Sequence, residues 1–268
     1  MLQISVVPLE QAAQDELDVY QQEIDDAGDY ADRVALAKRR FSSKNRIGNA
    51  TFDDIKLKLD SMCRGPRRCM YCEDSFADEV EHFKPKDLYP EVVFAWENYL
   101  YSCGRCNLKK NNRFAILDDN DNLISVTRAR RAPVVPPQAG KIRLIDPRVE
   151  DPLEFMMLDL RDTFEFTSIA DSGTSEEKRA DYTIEILRLN IRDYLIDARF
   201  NAFSSFQSRL YEYVDRKNNG ASQEELDLKQ EGIRRSPHPT VWAEMIRQRG
   251  AYVELSNLFD AAPEALTF

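Results

Sequence analysis

The sequence predicts an α+β protein, with a small zinc-stapled β core embedded in a mainly α-helical chain that also carries short β-hairpins. Three observations predict it. Two Cys-x-x-C pairs, Cys69/Cys72 and Cys103/Cys106, stand 30 residues apart. Apolar residues recur at helical spacing on both sides of them, and two short alternating runs with polar turns follow. The chain divides accordingly into an N-terminal helical segment (1–62), the cysteine module (63–127), a Pro/Arg-rich crossing segment (128–147) and a C-terminal hairpin and helical region (148–268).

The N-terminal helices are read from Leu17, Tyr20 and Ile24, then Val34, Ala37 and Phe41. Thr51 with Asp54 marks the start of a third helix with the stripe Ile55, Leu59 and Met62, ended by Gly65-Pro66. Cys63, beside Leu59 and Met62, reads as a core thiol. After the cysteine module, 115–126 reads as a hairpin around an Asp/Asn turn; it lacks the glycine and terminal glutamate of a calcium loop. Residues 128–140, with Pro133, Pro136 and Pro137, read as irregular. Leu158, Leu160, Phe164 and Phe166 alternate across a second hairpin. Four further helices are expected. Thr174 with Glu177 caps the first, Asn190 with Asp193 opens the second with Ile191, Leu195, Ala202, Phe206, Leu210 and Val214, Ser222 with Glu225 caps the third, and Thr240 starts the fourth with Trp242 and Met245. These stripes are core, not cofactor boxes.

The chain of 268 residues is 31% charged, and no apolar run approaches the ~18 residues of a membrane span. No signal-peptide pattern opens it, and four of its five cysteines lie in Cys-x-x-C pairs, so a reducing cytoplasm is expected. The net charge of −10 argues against indiscriminate nucleic-acid coating. That average hides a segregation: 10–32 holds nine acids and no base, and 33–46 holds six bases and no acid. The basic run fits either a solvated face or a phosphate contact. Bases also flank the cysteine module at Arg64, Arg67, Arg68, Arg105, Lys109, Lys110, Arg113, Arg128, Arg130 and Arg131, where phosphate contact is the favoured reading. No Gly-rich phosphate loop is present, which excludes an ATPase.

Between the cysteine pairs stand Glu81-His82, Pro85 and Asn98, and Asn107 follows the second pair. A two-residue gap lets one tight turn present both sulfurs to one metal, and four thiolates form a closed, structural zinc site. This constellation resembles the HNH nuclease family, in the subgroup that staples a ββα-metal fold with a four-cysteine zinc; Glu81-His82, Asn98 and Asn107 occupy its three motif places in order. With YCE, EHFKPK, LIDP at 144–147 and ILRLN at 186–190, it is similar to the HNH protein of Septu anti-phage systems and of certain retron operons, which accompanies an ATPase.

The resemblance implies a metal-dependent endonuclease, with DNA favoured over RNA and an ATPase partner. His82 is then the general base, because an imidazole titrates near neutrality. Glu81 and Asn107 are the expected ligands of a catalytic magnesium or manganese ion, with Asn111 one helical turn on as a third. Asn98 holds the loop carrying His82 through backbone hydrogen bonds. Lys84, Arg105, Lys109, Lys110 and Arg113 are the expected nucleic-acid contacts. His238, between two prolines, is structural or exposed. The competing readings are an RNA nuclease and a non-catalytic zinc-stapled adaptor that docks an ATPase.

Overall fold

The computed structural model describes residues 1–63 and 65–268; Arg64 lies outside the described residues. Among the described residues the fold is mixed α and β, with helices dominant and three small antiparallel sheets. Helices α1 (Gln11–Asp25), α2 (Tyr30–Lys44) and α3 (Ala50–Met62) bury the stripes that the spacing predicts: Leu17, Tyr20 and Ile24, then Val34, Ala37 and Phe41, then Ile55, Leu59 and Met62. Asn49, not Thr51, caps α3, accepting the Phe52 amide at 3.0 Å. A cap needs extended backbone before the first helical residue, and Thr51 already lies inside the helix. Much of the basic run on α2 is spent inside the molecule. Lys38 pairs with Asp87, Arg40 with Glu23, and Lys44 lies over the Tyr20 ring.

Strands β1 (Glu79–His82) and β2 (Tyr99–Ser102) pair antiparallel, with Glu79 opposite Ser102 and His82 opposite Tyr99. Helix α4 (Gly104–Lys110) follows directly. Next, β3 (Ala115–Leu117) and β4 (Leu123–Ser125) form the expected hairpin. Its acid cluster closes the turn: Asp118 Oδ1 accepts the Asn120 and Asn122 amides at 2.9 and 2.8 Å. A third strand, β5 (Lys141–Ile142), emerges from the crossing segment and pairs on the other edge of β3. The second hairpin is β6 (Met156–Leu158) with β7 (Phe166–Ser168), its loop closed by Asp159.

Five helices follow: α5 (Ser175–Ile186), α6 (Asp193–Asn218), α7 (Gln223–Arg234), α8 (Pro239–Gln248) and α9 (Val253–Ala261). Thr174 caps α5, and Ser222 with Glu225 forms a full capping box on α7. Two expected caps serve other ends. Asn190 instead clamps β7, donating to the Phe166 carbonyl at 2.8 Å and accepting its amide at 2.9 Å, so Ile191 falls outside α6 and is exposed. Thr240 lies one residue inside α8, and its hydroxyl reaches the cysteine module. No helix among the described residues is long and apolar enough to cross a membrane.

One continuous buried cluster joins α1–α3, the cysteine module, β6–β7 and the C-terminal helices. Polar contacts lock the C-terminal region onto the cysteines. Glu73, in a left-handed conformation after Cys72, accepts from the Thr240 hydroxyl at 2.7 Å and its amide at 3.1 Å. His238 is buried, with Nε2 3.4 Å from Asp74. Arg148, just past the LIDP motif, donates to the Trp96 and Tyr99 carbonyls at 2.8 and 2.6 Å and braces the start of β2.

Candidate functional site

Two short segments present the cysteine pairs: the turn closed by the Arg68–Phe76 bridge, and the N-terminus of α4. The Sγ atoms of Cys69, Cys72, Cys103 and Cys106 all lie within 4.8 Å of one another, and all four residues are buried. Cys72 and Cys103 are 3.9 Å apart, close to the ~3.8 Å that tetrahedral ligands at zinc–sulfur bonds of ~2.3 Å require. Four thiolates bury excess negative charge, and Arg192 answers it: its guanidinium nitrogens lie 3.5 and 3.6 Å from Cys106 Sγ, held there by the Leu187 and Arg188 carbonyls. The donor set fits zinc. Nothing near the motif in sequence pointed to Arg192. Cys63, beyond the end of α3, is half-buried, and burial pushes its thiol up to about 12.

His82 ends β1 and is 5% exposed. Its ring lies edge-on to Phe41 at 4.3 Å and to Tyr99 at 5.3 Å. Nε2 is 3.0 Å from the Val93 carbonyl, which also accepts the Tyr99 hydroxyl at 2.8 Å. A carbonyl only accepts, so Nε2 carries the proton and Nδ1 keeps its lone pair. Burial first, then Lys86 and Lys110, holds the imidazole well below its usual range and keeps it neutral.

Asn98 is buried between two stretches of backbone. Its Oδ1 accepts the Lys84 amide at 2.7 Å, and its Nδ2 donates to the Lys84 and Val92 carbonyls at 3.1 and 3.0 Å. One buried amide thus ties the loop after His82 to the segment that supplies Val93.

The other motif residues sit differently from expectation. Glu81 is buried, with Oε1 accepting from Lys110 Nζ at 2.6 Å and Oε2 from the Tyr71 hydroxyl at 2.7 Å. Tyr71 is a secure donor, its hydroxyl pushed well up by burial and by Glu81. Lys110 also donates to the His82 carbonyl at 2.7 Å and is wholly sealed from water, so it is not a surface phosphate contact. The reason is helical spacing. Cys106 must face inward as a thiolate, and Lys110 lies four residues on, on the same face of α4. Asn107 turns to Glu79, donating at 2.5 Å to a carboxylate two residues before Glu81. Asn111 stands one turn on as the cap of α4, its amide donating to the Asn107 carbonyl at 2.6 Å. Its backbone ends α4 at φ 43° and leaves the side chain exposed. Glu81 thus spends both oxygens on Lys110 and Tyr71, and Asn107 spends its amide nitrogen on Glu79. Of the other expected contacts, Arg105 and Arg113 are exposed, and Lys84 and Lys109 are half-buried.

Compared with known proteins, the chain is 44% identical over 68 residues to the Septu protein PtuB of Bacillus thuringiensis, covering 24% of this chain and 26% of the relative. It is similar to Septu protein PtuB. A second Septu protein PtuB, from Bacillus mycoides strain KBAB4, is 27% identical over 149 residues, 48% of this chain and 46% of the relative. The chain thus spans less than half the length of the curated relatives it matches. These likenesses support the Septu defence family, and the four-cysteine cluster fits a zinc ion. No family model matches, and no solved structure matches.

Proposed function

We propose that this chain is a component of a Septu-type anti-phage defence system that hydrolyses nucleic-acid phosphodiester bonds, DNA in preference to RNA, beside an ATPase partner in the cytoplasm. The observation that carries the reading is the 3.0 Å contact between His82 Nε2 and the Val93 carbonyl, which assigns the tautomer. An imidazole with Nε2 bound to a carbonyl and Nδ1 free is a neutral base able to take a proton from water. As it charges, the Val93 carbonyl stabilises the imidazolium. Asn98 keeps that pair in register by holding both ends of the intervening loop. Arg105, Lys109, Arg113 and Lys84 supply cations for the phosphate backbone. Zinc, held by the four cysteines, would pin the Arg68–Phe76 turn to the start of α4 and takes no part in the chemistry. The HNH reading also calls for magnesium or manganese. In this arrangement the charge facing Glu81 comes from Lys110, and each role assigned above rests on the protein's own groups.

A second reading has its own support. With His82 packed beneath Phe41 and Glu81 paired to Lys110, the same geometry suits a zinc-stapled adaptor that docks an ATPase.

Cleavage assays separate the two. Purified protein, with and without an ATPase from the same operon, is incubated with DNA and RNA in magnesium or manganese. Cleavage is expected, and His82→Ala is expected to reduce it by roughly 10²–10⁴-fold with zinc content unchanged. Cleavage by His82→Ala at the wild-type rate would remove His82 as the base, and no cleavage by the wild-type chain with or without the ATPase would leave the adaptor reading standing.

A further inference from the structure

A cavity of about 470 Å³ opens beside the loop that follows His82, lined by Tyr30, Arg33, Lys84, Tyr89, Glu91 and the segment 136–140. We propose that it is a subsite for one unpaired nucleotide of the substrate strand, adjacent to the scissile phosphate. The inference rests on the nuclease reading and names what that site would hold.

The size lies in the ~300–1,000 Å³ range of small-ligand sites. Its aromatic walls are fixed before any ligand arrives. The Tyr30 hydroxyl donates to the Leu88 carbonyl at 2.8 Å and accepts from Arg128 at 3.2 Å, and Tyr89 packs edge-on to Phe114 at 5.5 Å. Lys84 lies over the Tyr89 ring and Arg128 bonds Tyr30, which leaves Arg33 as the cation without a partner among the described residues. Lys38 and Arg40 on α2 are committed to Asp87 and Glu23, whereas Arg33 makes no ion pair among the described residues and its Nε is buried without a partner. Of the lining residues, Arg33 and Lys84 meet a single carboxylate, the exposed Glu91. The far wall depends on Gly140, where a Cβ would stand 2.5 Å from the Leu117 carbonyl oxygen, so any side chain there displaces the wall. The subsite is anchored to the reacting centre through Lys84, whose backbone amide and carbonyl are both held by Asn98.

Aromatic rings beside unpaired cations are how proteins hold single strands, because each unpaired base offers a π-face and a nearby phosphate. A base inside a duplex has both faces covered by its neighbours. That chemistry is common to DNA and RNA, so both are tested.

The experiment measures fluorescence anisotropy of labelled oligo-dT and oligo-rU of about ten nucleotides on the full-length His82→Ala chain without added metal. Arg33→Ala, Tyr89→Leu and Gly140→Val, each added to that background, should weaken single-strand binding roughly tenfold, the usual worth of a stacked base, and change duplex binding less than twofold. The relative strength of the two oligonucleotides identifies the sugar. Thermal melting confirms that each variant folds; Arg33→Ala, with no structural partner to lose, should melt as its parent does. Unchanged single-strand binding in Arg33→Ala and Gly140→Val overturns the subsite. So does a parent that binds neither oligonucleotide. Plasmid cleavage by the wild-type chain judges the nuclease reading separately.

Discussion

The ammonium of Lys110 lies 2.6 Å from Oε1 of Glu81, with both side chains sealed from water. A buried pair of this kind contributes less through attraction than through the cost of leaving either charge alone. It also joins α4 to β1 at the residue next to His82.

Replacing Lys110 tests that relationship. Lys110→Met should cost about 3–5 kcal/mol in urea unfolding, because it strands the Glu81 carboxylate. Lys110→Met with Glu81→Gln should recover most of the loss, since the amide still accepts from Tyr71. A surface lysine on a phosphate path would instead lose ~0.5 kcal/mol or less.

Zinc is the second expectation. Elemental analysis should find about one tightly held zinc per chain, and Cys106→Ser should abolish it and destabilise the fold, because structural zinc binding is folding free energy. Arg192→Gln keeps all four sulfurs and removes only the cation beside Cys106. It should release zinc to a chromogenic chelator roughly 10–100-fold more readily, as lost outer-shell contacts do. Zinc loss equal to wild type would remove Arg192 from that role.

Asn98→Ala should leave the zinc in place while the loop between β1 and β2 loosens. Its amide serves three backbone groups, and leaving buried partners unpaired costs about 1–3 kcal/mol. Hydrogen exchange at Phe83–Val93 should accelerate, with the core of α6 unchanged. Acceleration spread evenly over the chain would contradict a local clamp.

The pH dependence follows from His82. Its folded pKa is depressed, so between the unfolded value of about 6.5 and the native one the unfolded chain binds the extra proton. Stability from the neutral imidazole is therefore full above pH ~6.5 and is lost as pH falls toward the native pKa, at about 1.4 kcal/mol per pH unit. Urea unfolding at pH 7 and pH 5 should show a smaller acid loss for His82→Gln than for wild type. Equal losses would mean that the buried imidazole is not held neutral.

What the amino-acid sequence determined by itself was local. Cysteine spacing sets the metal geometry, the Ser222–Glu225 box starts α7, Asp118 closes its hairpin, and helical periodicity identifies the buried faces of α1–α3. Such features depend on residues within a few positions of one another, where backbone geometry allows few alternatives. Lys110 was partly legible, because the inward-facing Cys106 fixes its side of α4, yet its ion pair required knowing that Glu81 is buried too. Tertiary packing alone decided that Arg192 reaches Cys106 from 86 residues away, that Glu73 takes Thr240 across 167 residues, and that Phe41 of α2 covers His82. Buried charges and rings take their partners from whichever distant surfaces folding brings together, and spacing along the chain carries no record of that meeting.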